Sequence, residues 1–228
     1  MGQNKKETQI NSRSFDEVLN SIVDEMDKVL NIKSDDIPNI DLYMDQVLSF
    51  LDDKLNYTRR NTSDGEEKIF TKTMINNYAK NDLLPPPIRK KYSKDHIILL
   101  IFIYYLKNIL SISDIQTLLE PLKERFHVSD DELNLGGIYE RAFELQEGEL
   151  EPVVEDLKRK YEKSLKTFED TALSEDEKKR MQMFSFIILL SYDVYVKKLL
   201  IEKIIDNTME KEAGDKEKPA KEKEKKKK

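Results

Sequence analysis

The sequence contains no cysteine, and only two of its 228 residues are histidine. The absence of cysteine excludes disulfides, thiol chemistry and cysteine-ligated zinc. The shortage of histidine argues against a transition-metal site. Glycine is also scarce, and because Gly136-Gly137 is isolated, no glycine-rich phosphate loop exists. The many acidic residues are scattered without the spacing of an acid–base pair, so we expect no enzyme activity, no metal and no cofactor.

Long apolar segments are missing as well. The uncharged run Ile97–Leu106 is too short to cross a bilayer, which needs about 20 apolar residues. The apolar run Phe184–Ile205 is interrupted by charged residues. Met1–Arg13 is polar and lacks the apolar stretch of a secretory signal. We therefore expect a cytoplasmic protein with no membrane partner.

Charge is distributed unevenly along a chain whose formal net charge is −6. Thr71–Lys94 carries six basic residues and one acid, whereas residues 130–156 carry ten acids and one base. A local basic patch can bind phosphate even when the whole chain is acidic. A solvated charged face is the alternative interpretation of the same pattern. The lysine-rich segment 211–228 has the composition of a disordered tail.

Helical periodicity dominates the chain, and serine caps of the type Ser14-x-x-Glu17, Ser111-x-x-Asp114 and Ser174-x-x-Glu177 precede several apolar series. A brief helix opened by Ser129-x-x-Glu132 is expected to stop at Gly136-Gly137. The other predicted helices cover residues 15–30, 42–55, 72–80, 94–110, 112–121, 138–147, 153–168 and 175–209. The sequence therefore predicts an all-α fold.

The same pattern divides the chain into four parts. We predict a disordered N-terminus over residues 1–13, a helical domain over 14–121, a helical C-terminal region over 122–210, and a disordered tail over 211–228. The C-terminal region would serve dimerisation or effector binding. Its final helix, Ser174–Met209, is long enough to form a homodimer. Packing of that helix against Val153–Phe168 as a hairpin within one chain is the alternative.

The stretch Thr71–Tyr92 combines the features that a DNA-reading unit needs. The helix over 72–80 buries Met74, Ile75 and Tyr78 and turns its polar residues outward. Asparagine can donate to and accept from a base edge such as that of adenine, while threonine and lysine suit phosphate oxygens. The candidate residues for binding double-stranded DNA are Thr71, Lys72, Thr73, Asn76, Asn77, Lys80, Arg89, Lys90, Lys91 and Tyr92.

The run Leu83–Pro87 ends this helix, because three prolines cannot continue it and force an extended backbone. Ile88–Tyr92 then reads as a short strand or a basic, wing-like loop. An ordinary amphipathic helix followed by a proline loop is the alternative interpretation. His96 stands after Ser93 where a capping box has its acid, so a role at a helix start is favoured over catalysis.

The order of these residues resembles the winged helix of MerR transcription regulators. Tyr78 and Leu83 keep the five-residue step of that pattern, and Lys90-x-Tyr92 matches its Arg-x-Tyr wing with lysine in place of arginine. Ser111–Ile115 resembles the start of the next MerR helix, which packs behind the wing. The resemblance implies a recognition helix over 72–80, a wing over 88–92 and dimerisation through a long later helix.

Ile40–Leu119 resembles more closely the bacterial domain-of-unknown-function family eighteen thirty-six. Thr71–Tyr78 is the most distinctive stretch, and Leu84–Pro87 through Lys91-Tyr92-Ser93 also fits. The two resemblances together imply a MerR-like winged helix-turn-helix unit followed by a helical C-terminal region. They also imply that the protein regulates transcription by binding DNA.

A second function stays open at this point, namely a helical protein–protein interaction module that keeps the scaffold without binding DNA. It rests on the acidic stretch 130–156 and on departures from the MerR pattern. MerR proteins usually carry arginine where Asn76 stands and glycine where Asp82 stands. The connector Thr58–Lys68 is also longer than their tight turn. No motif identifies an effector ligand.

Overall fold

The computed structural model describes residues 17, 20–21, 32–56, 61–62, 65–66, 68–128, 133–146 and 148–209. Most of these residues are helical, which confirms the predicted all-α class. A short 3₁₀ helix (Ser34–Asp36) comes first. The elements after it in chain order are β1 (Leu42–Tyr43), α1 (Met44–Leu55), β2 (Asn61–Thr62), β3 (Gly65–Glu66), α2 (Lys72–Lys80), β4 (Lys91–Tyr92), α3 (Lys94–Leu106), α4 (Ile112–Lys123), α5 (Leu135–Glu144), α6 (Leu150–Leu165) and α7 (Glu175–Thr208).

Some predicted segments lie outside the residues that the structure describes. Apart from Glu17, Asn20 and Ser21, the predicted helix over 15–30 lies outside the described residues, and so do the predicted N-terminal and C-terminal tails. The Ser129-x-x-Glu132 capping box lies outside them as well.

The uncharged helix α3 forms the centre of the core. Ile97 through Ile101 are all fully buried, because a helix that is apolar on every side must be covered on every side. The covering side chains come from α1, α2, α4 and α5, and they include Leu51, Ile75, Ile115 and Tyr139. Within the described part of the chain, no helix is both long and apolar enough to cross a membrane.

Two small antiparallel sheets fix the chain around α1. β1 pairs with β4 in the register Leu42↔Tyr92 and Tyr43↔Lys91, which ties the start of α1 to the segment before α3. β2 pairs with β3 inside the long polar connector. Ile69 and Phe70 follow the connector directly, and both are buried in the core. The start of α2 is therefore anchored although the connector before it is long.

The glycine pair does not end a helix, contrary to the prediction. Gly136 and Gly137 lie in the first turn of α5, which begins at Leu135 rather than at residue 138. The side-chain oxygen of Asn134 accepts a hydrogen bond from the Gly137 N–H at 2.8 Å. This cap stabilises the helix start enough to offset the low helix propensity of glycine, and the buried Tyr139 adds packing.

Three predicted helix ends are also corrected. α3 ends at Leu106 rather than at residue 110, and α4 continues through Pro121 to Lys123. Pro121 has no N–H for the Thr117 carbonyl and its ring crowds that carbonyl, so the helix continues for only two residues beyond it. α6 ends at Leu165, and Phe168 follows it with a φ of 62°, which no helix accommodates.

α6 and α7 pack against each other as an antiparallel hairpin. The ring of Tyr161 meets that of Phe186 edge to face, and the Gln182 side chain donates to the Leu165 carbonyl at 2.6 Å. The ammonium of Lys160, buried between the helices, contacts the carboxylates of Asp156 and Asp193. The end of α7 returns to the domain, where Ile205 joins the core. The hairpin interpretation of the final helix is thus confirmed for one of its faces.

His96 is at a helix start, as predicted. Its Nδ1 accepts a hydrogen bond from the Ser93 N–H at 3.0 Å, and its ring packs edge to face on Tyr92 and Phe126. Burial lowers the pKa of His96 to about 4, although the Pro86 carbonyl opposes this shift. The imidazole is therefore neutral near pH 7, with Nδ1 as the acceptor of the cap.

We expect this histidine to make the protein less stable in mild acid. Its folded pKa of about 4 lies below its ordinary 6.5, so between these values the unfolded chain binds the proton first. The free energy of unfolding should fall by about 3 kcal/mol as pH drops through this window, at about 1.4 kcal/mol per pKa unit. Urea unfolding at a series of pH values measures this change.

The matched control is His96→Gln, which keeps an acceptor for the Ser93 N–H but does not titrate. Carboxylates titrate equally in both proteins, so the difference between them isolates His96. A wild-type advantage that stays constant from pH 7 to pH 4 would contradict this interpretation.

Candidate nucleic-acid interface

Helix α2 presents a polar face to solvent. Thr71 caps the helix, its Oγ1 accepting a hydrogen bond from the Met74 N–H at 3.1 Å. Ile75 and Tyr78 are buried, and Met74 is partly buried against the core. The exposed residues are Lys72, Thr73, Asn76, Asn77 and Lys80. The predicted outward and inward positions are thus those that the structure has.

The wing is a tight two-residue hairpin with a cationic tip. The Ile88 N–H donates to the Lys91 carbonyl at 3.1 Å, and the Lys91 N–H donates back to the Ile88 carbonyl at 2.9 Å. Arg89 and Lys90 form the two central positions, with φ values of 51° and 64°. A turn with positive φ at both central positions is normally occupied by Asn-Gly or Gly-Gly.

The two basic residues at this tip therefore hold an unfavourable backbone. The left-handed conformation costs a residue with a β-carbon on the order of 1 kcal/mol. Such strain tends to persist where a side chain is needed for function. Both side chains are exposed, and the strand β4 that follows them is paired with β1. The hairpin thus holds two cations on a turn whose backbone is fixed by hydrogen bonds.

The turn between α2 and the proline run is held from two sides. The Tyr78 carbonyl accepts hydrogen bonds from the N–H groups of Leu83 and Leu84, at 2.9 and 3.3 Å. This closes the helix end and gives the five-residue step from Tyr78 to Leu83 a structural role. On the other side, the Gln116 side chain of α4 donates to the Asn81 carbonyl.

Lys123 neutralises the acid in this turn. Its ammonium contacts the Asp82 carboxylate at 3.0 Å and donates to the Asp82 carbonyl at 2.9 Å. A second contact joins it to Glu120 at 2.6 Å. Burial acts to lower the pKa of Lys123, but the hydrogen bonds to Glu120 and Asp82 outweigh it and raise the pKa. The negative charge beside α2 is therefore paired with a permanent cation.

Both basic elements lie at the N-terminal end of α1. Lys72, at the start of α2, forms an ion pair with Asp45 in the first turn of α1 at 2.6 Å. Two residues earlier, Tyr43 pairs with Lys91 of the wing, whose ammonium lies 5.3 Å from the centre of the Tyr43 ring. The start of α1 thus joins the recognition-helix candidate to the wing candidate.

The structure does not bring every predicted residue to this surface. Tyr92 is only 3% exposed and packs on His96, so it supports the wing from beneath. Lys91 is partly buried on Tyr43. The Thr71 side chain is occupied with the cap. We refer to the seven remaining candidates as the basic surface: Lys72, Thr73, Asn76, Asn77, Lys80, Arg89 and Lys90.

Two residues outside the prediction belong to this region. Ile88 is 58% exposed beside the cationic tip, where an apolar side chain gains nothing from water. In the sequence, its exposure could have been inferred from its position directly after three prolines and before Arg89. Lys123, by contrast, could not be linked to Asp82 from the sequence, because 41 residues separate them.

Lys94, the last cation of the basic stretch, faces elsewhere. It lines a polar cleft of about 470 Å³ together with Arg141 and the carboxylates of Asp35, Glu140 and Glu144. The mixed charge of this lining does not favour a polyanion, so the cleft is not part of the basic surface.

Comparison with known proteins shows that this region is similar to one sequence family. Residues 32–142 match the family model described as Domain of unknown function (DUF1836). The match supports the family part of the sequence resemblance and covers α1 to α4, the wing and most of α5. No curated protein and no solved structure matches the chain. The MerR-like part of the resemblance stays a prediction.

We expect relief of the strained turn to stabilise the helical domain that carries the wing. The double variant Arg89→Asn/Lys90→Gly has the residues that this turn geometry favours, so its free energy of unfolding should rise by about 1 kcal/mol. Urea unfolding measures the change. Arg89→Ala/Lys90→Ala is the matched control, since it removes the same charges but keeps both β-carbons. An equal gain in both variants would attribute the effect to charge repulsion instead.

Proposed function

We propose that this protein is a DNA-binding transcriptional regulator that contacts double-stranded DNA with α2 and the wing. The observation that carries the proposal is the tip of the wing, where Arg89 and Lys90 both occupy left-handed conformations. The fold tolerates this cost at a position where Asn-Gly would remove it. A function that requires two cations on a rigid turn accounts for the cost.

The dimensions and chemistry of α2 suit the major groove. A helix with its side chains is about 10–12 Å in diameter, and the groove is about 12 Å wide, so the nine-residue α2 can lie in it. The amides of Asn76 and Asn77 supply donors and acceptors for base edges, while Lys72, Thr73 and Lys80 suit phosphates. Lys72 would exchange its exposed partner Asp45 for a phosphate, an exchange that costs little because surface ion pairs are weak.

The wing would bind beside the helix. Arg89 and Lys90 would neutralise phosphates or enter the neighbouring minor groove, which attracts arginine and lysine where it is narrow. Ile88 would contact sugars or base steps, as apolar wedges do in other minor-groove proteins. Because Lys123 pairs with Asp82, the negative charge of Asp82 does not stand uncompensated against the DNA.

A helical protein–protein interaction module is the second candidate function. It draws support from α7, which exposes many large apolar side chains that DNA would not cover. The two functions predict different responses to salt. Phosphate contacts release counterions, whereas apolar contacts between proteins do not weaken as salt rises.

Removal of the wing cations should lower both the affinity for DNA and its salt dependence. Selection from a random pool of double-stranded DNA first supplies a bound sequence. On that duplex, Arg89→Asn/Lys90→Gly should reduce the slope of log affinity against log salt by about 1.8, at about 0.9 per lost phosphate contact. Fluorescence anisotropy at a series of salt concentrations measures the slope.

The control for this experiment is Lys158→Gln/Lys163→Gln, which removes two exposed cations from α6. It should leave the slope unchanged. Because the wing variant is expected to be more stable than wild type, a loss of binding cannot come from unfolding. Failure of the selection to enrich any sequence, with retention insensitive to salt, would refute the proposal and favour the interaction module.

Removal of the α2 amides should lower the specificity of DNA binding without changing the salt dependence of the affinity. We expect Asn76→Ala/Asn77→Ala to weaken binding to the selected duplex by about 10–100-fold, at roughly 1–3 kcal/mol for a good bidentate base contact. Binding to a shuffled duplex and the salt slope should stay as in wild type. Equal weakening on both duplexes would show that α2 does not read bases.

A further inference from the structure

Helix α7 has an apolar face that the described part of the chain leaves exposed. We call the six side chains concerned, which surround Ser191, the outer face. Their exposed fractions lie between 52% and 66%, and they are Phe184, Ile187, Ile188, Tyr192, Val194 and Tyr195. Large apolar side chains exposed to this extent are common singly but not in a contiguous group.

The outer face lies opposite the hairpin contact. Gln182 and Phe186 of α7 are buried against α6, and Asp193, the single charged residue between Arg180 and Lys197, contacts Lys160 of α6. Residues about two and five positions further along a helix than a buried one point the other way. The outer face is therefore free of charge along its whole length.

Its spacing is that of a helix–helix contact. Phe184, Ile187, Ser191 and Val194 follow one another at steps of three, four and three residues, the repeat of a coiled-coil seam. Ser191 is the small residue at the centre of this seam. Its hydroxyl already donates to the Ile187 carbonyl of the same helix at 2.8 Å, so burying Ser191 would leave no donor unpaired.

The exposed area of the outer face is that of a protein–protein interface. Six large side chains of about 200 Å² each, a little over half exposed, leave roughly 700 Å² of apolar surface. The largest apolar patch on a typical monomer is smaller, about 300–600 Å². One side of a standard protein interface buries about 800 Å², so the outer face is large enough for a complete interface.

We propose that a second copy of this chain covers the outer face, with the two α7 helices antiparallel and the two-fold axis at Ser191. The antiparallel arrangement places residues equally distant from Ser191 side by side. Arg180 of one copy then stands level with Glu202 of the other, which brings opposite charges together. A parallel arrangement would instead bring Arg180 against Arg180 and Glu202 against Glu202, and is disfavoured by that repulsion.

In this dimer the hairpins of two chains form a four-helix bundle with α7 of each copy at the centre. Both faces of α7 are then covered, one by α6 and one by the second copy. The inference does not depend on DNA binding, since none of the residues of the basic surface takes part in it. A two-fold dimer would also present two copies of the basic surface to one DNA duplex.

Cysteine cross-linking tests the axis directly, because the chain has no cysteine of its own. We expect Ser191→Cys to form a disulfide-linked dimer under mild oxidation, since a disulfide requires the two α-carbons to lie within about 7 Å. Phe184→Cys should cross-link only in a parallel arrangement. Glu162→Cys, on the exposed side of α6, is the matched control and should stay monomeric.

Solution mass tests the surface without oxidation. Light scattering at micromolar concentration should give twice the 26.9 kDa chain mass for wild type. Ile187→Glu/Val194→Glu should weaken association by about 100-fold or more, because it buries charges at the centre of the interface. Leu145→Glu, at an exposed apolar residue outside the outer face, should leave the dimer intact. Circular dichroism checks that the helices persist in both variants.

Three results would overturn the proposal. The first is a wild-type mass equal to one chain at all concentrations, and the second is a dimer that survives Ile187→Glu/Val194→Glu. The third is efficient cross-linking of Phe184→Cys, with or without Ser191→Cys, which would reject the antiparallel arrangement. A monomer that binds vesicles of phosphatidylcholine and phosphatidylglycerol, and loses this binding in the double variant, would assign the outer face to lipid instead. DNA binding can succeed or fail independently of each result.

Discussion

The burial of α3 on every side is the constraint on which the rest of the fold depends. A helix without a polar face between Ile97 and Ile103 is stable in water only if other elements surround it. α1, α2, α4 and α5 meet this requirement, and their apolar faces have no other place to pack. The wing depends on the same constraint, because β4 ends one residue before the Ser93 cap and Tyr92 packs on His96.

The basic surface shows how a rigid scaffold can hold an unfavourable local structure. Arg89 and Lys90 adopt left-handed conformations because hydrogen bonds close the hairpin on one side and β1 holds β4 on the other. The energy that maintains the turn comes from the core through these connections. Asp82 is a comparable case, since its positive φ of 55° is supported by Lys123 and by the bonds that end α2. The local conformation therefore lowers stability at the wing, whereas at the turn the contacts of Lys123 support it.

The C-terminal hairpin follows a different rule. The ammonium of Lys160, buried on α6, contacts Asp193 of α7 as well as Asp156 of its own helix, and the contact with Asp193 favours the register in which these faces of α6 and α7 meet. The same pair leaves the opposite side of α7 apolar and exposed. A buried charge that specifies one contact thus determines indirectly where a second contact can form.

The sequence by itself determined the features that depend on residues close together in the chain. The bounds of α2, its exposed Asn76 and Asn77, and the cap role of His96 follow from helical spacing and from side chains within one turn.

Only the tertiary structure decided the rest. Nothing local distinguishes a wing tyrosine that contacts DNA from one that packs on His96, and Asp82 meets Lys123 only after α4 has folded back. The Gly136-Gly137 pair looks like a helix end until the Asn134 cap and the packing of Tyr139 outweigh its propensity. The apolar spacing of α7 predicts burial on all sides. In the described part of the chain, α6 packs against one side of α7, and α4 and the core meet it as well. Which face stays open is therefore a property of the packing alone.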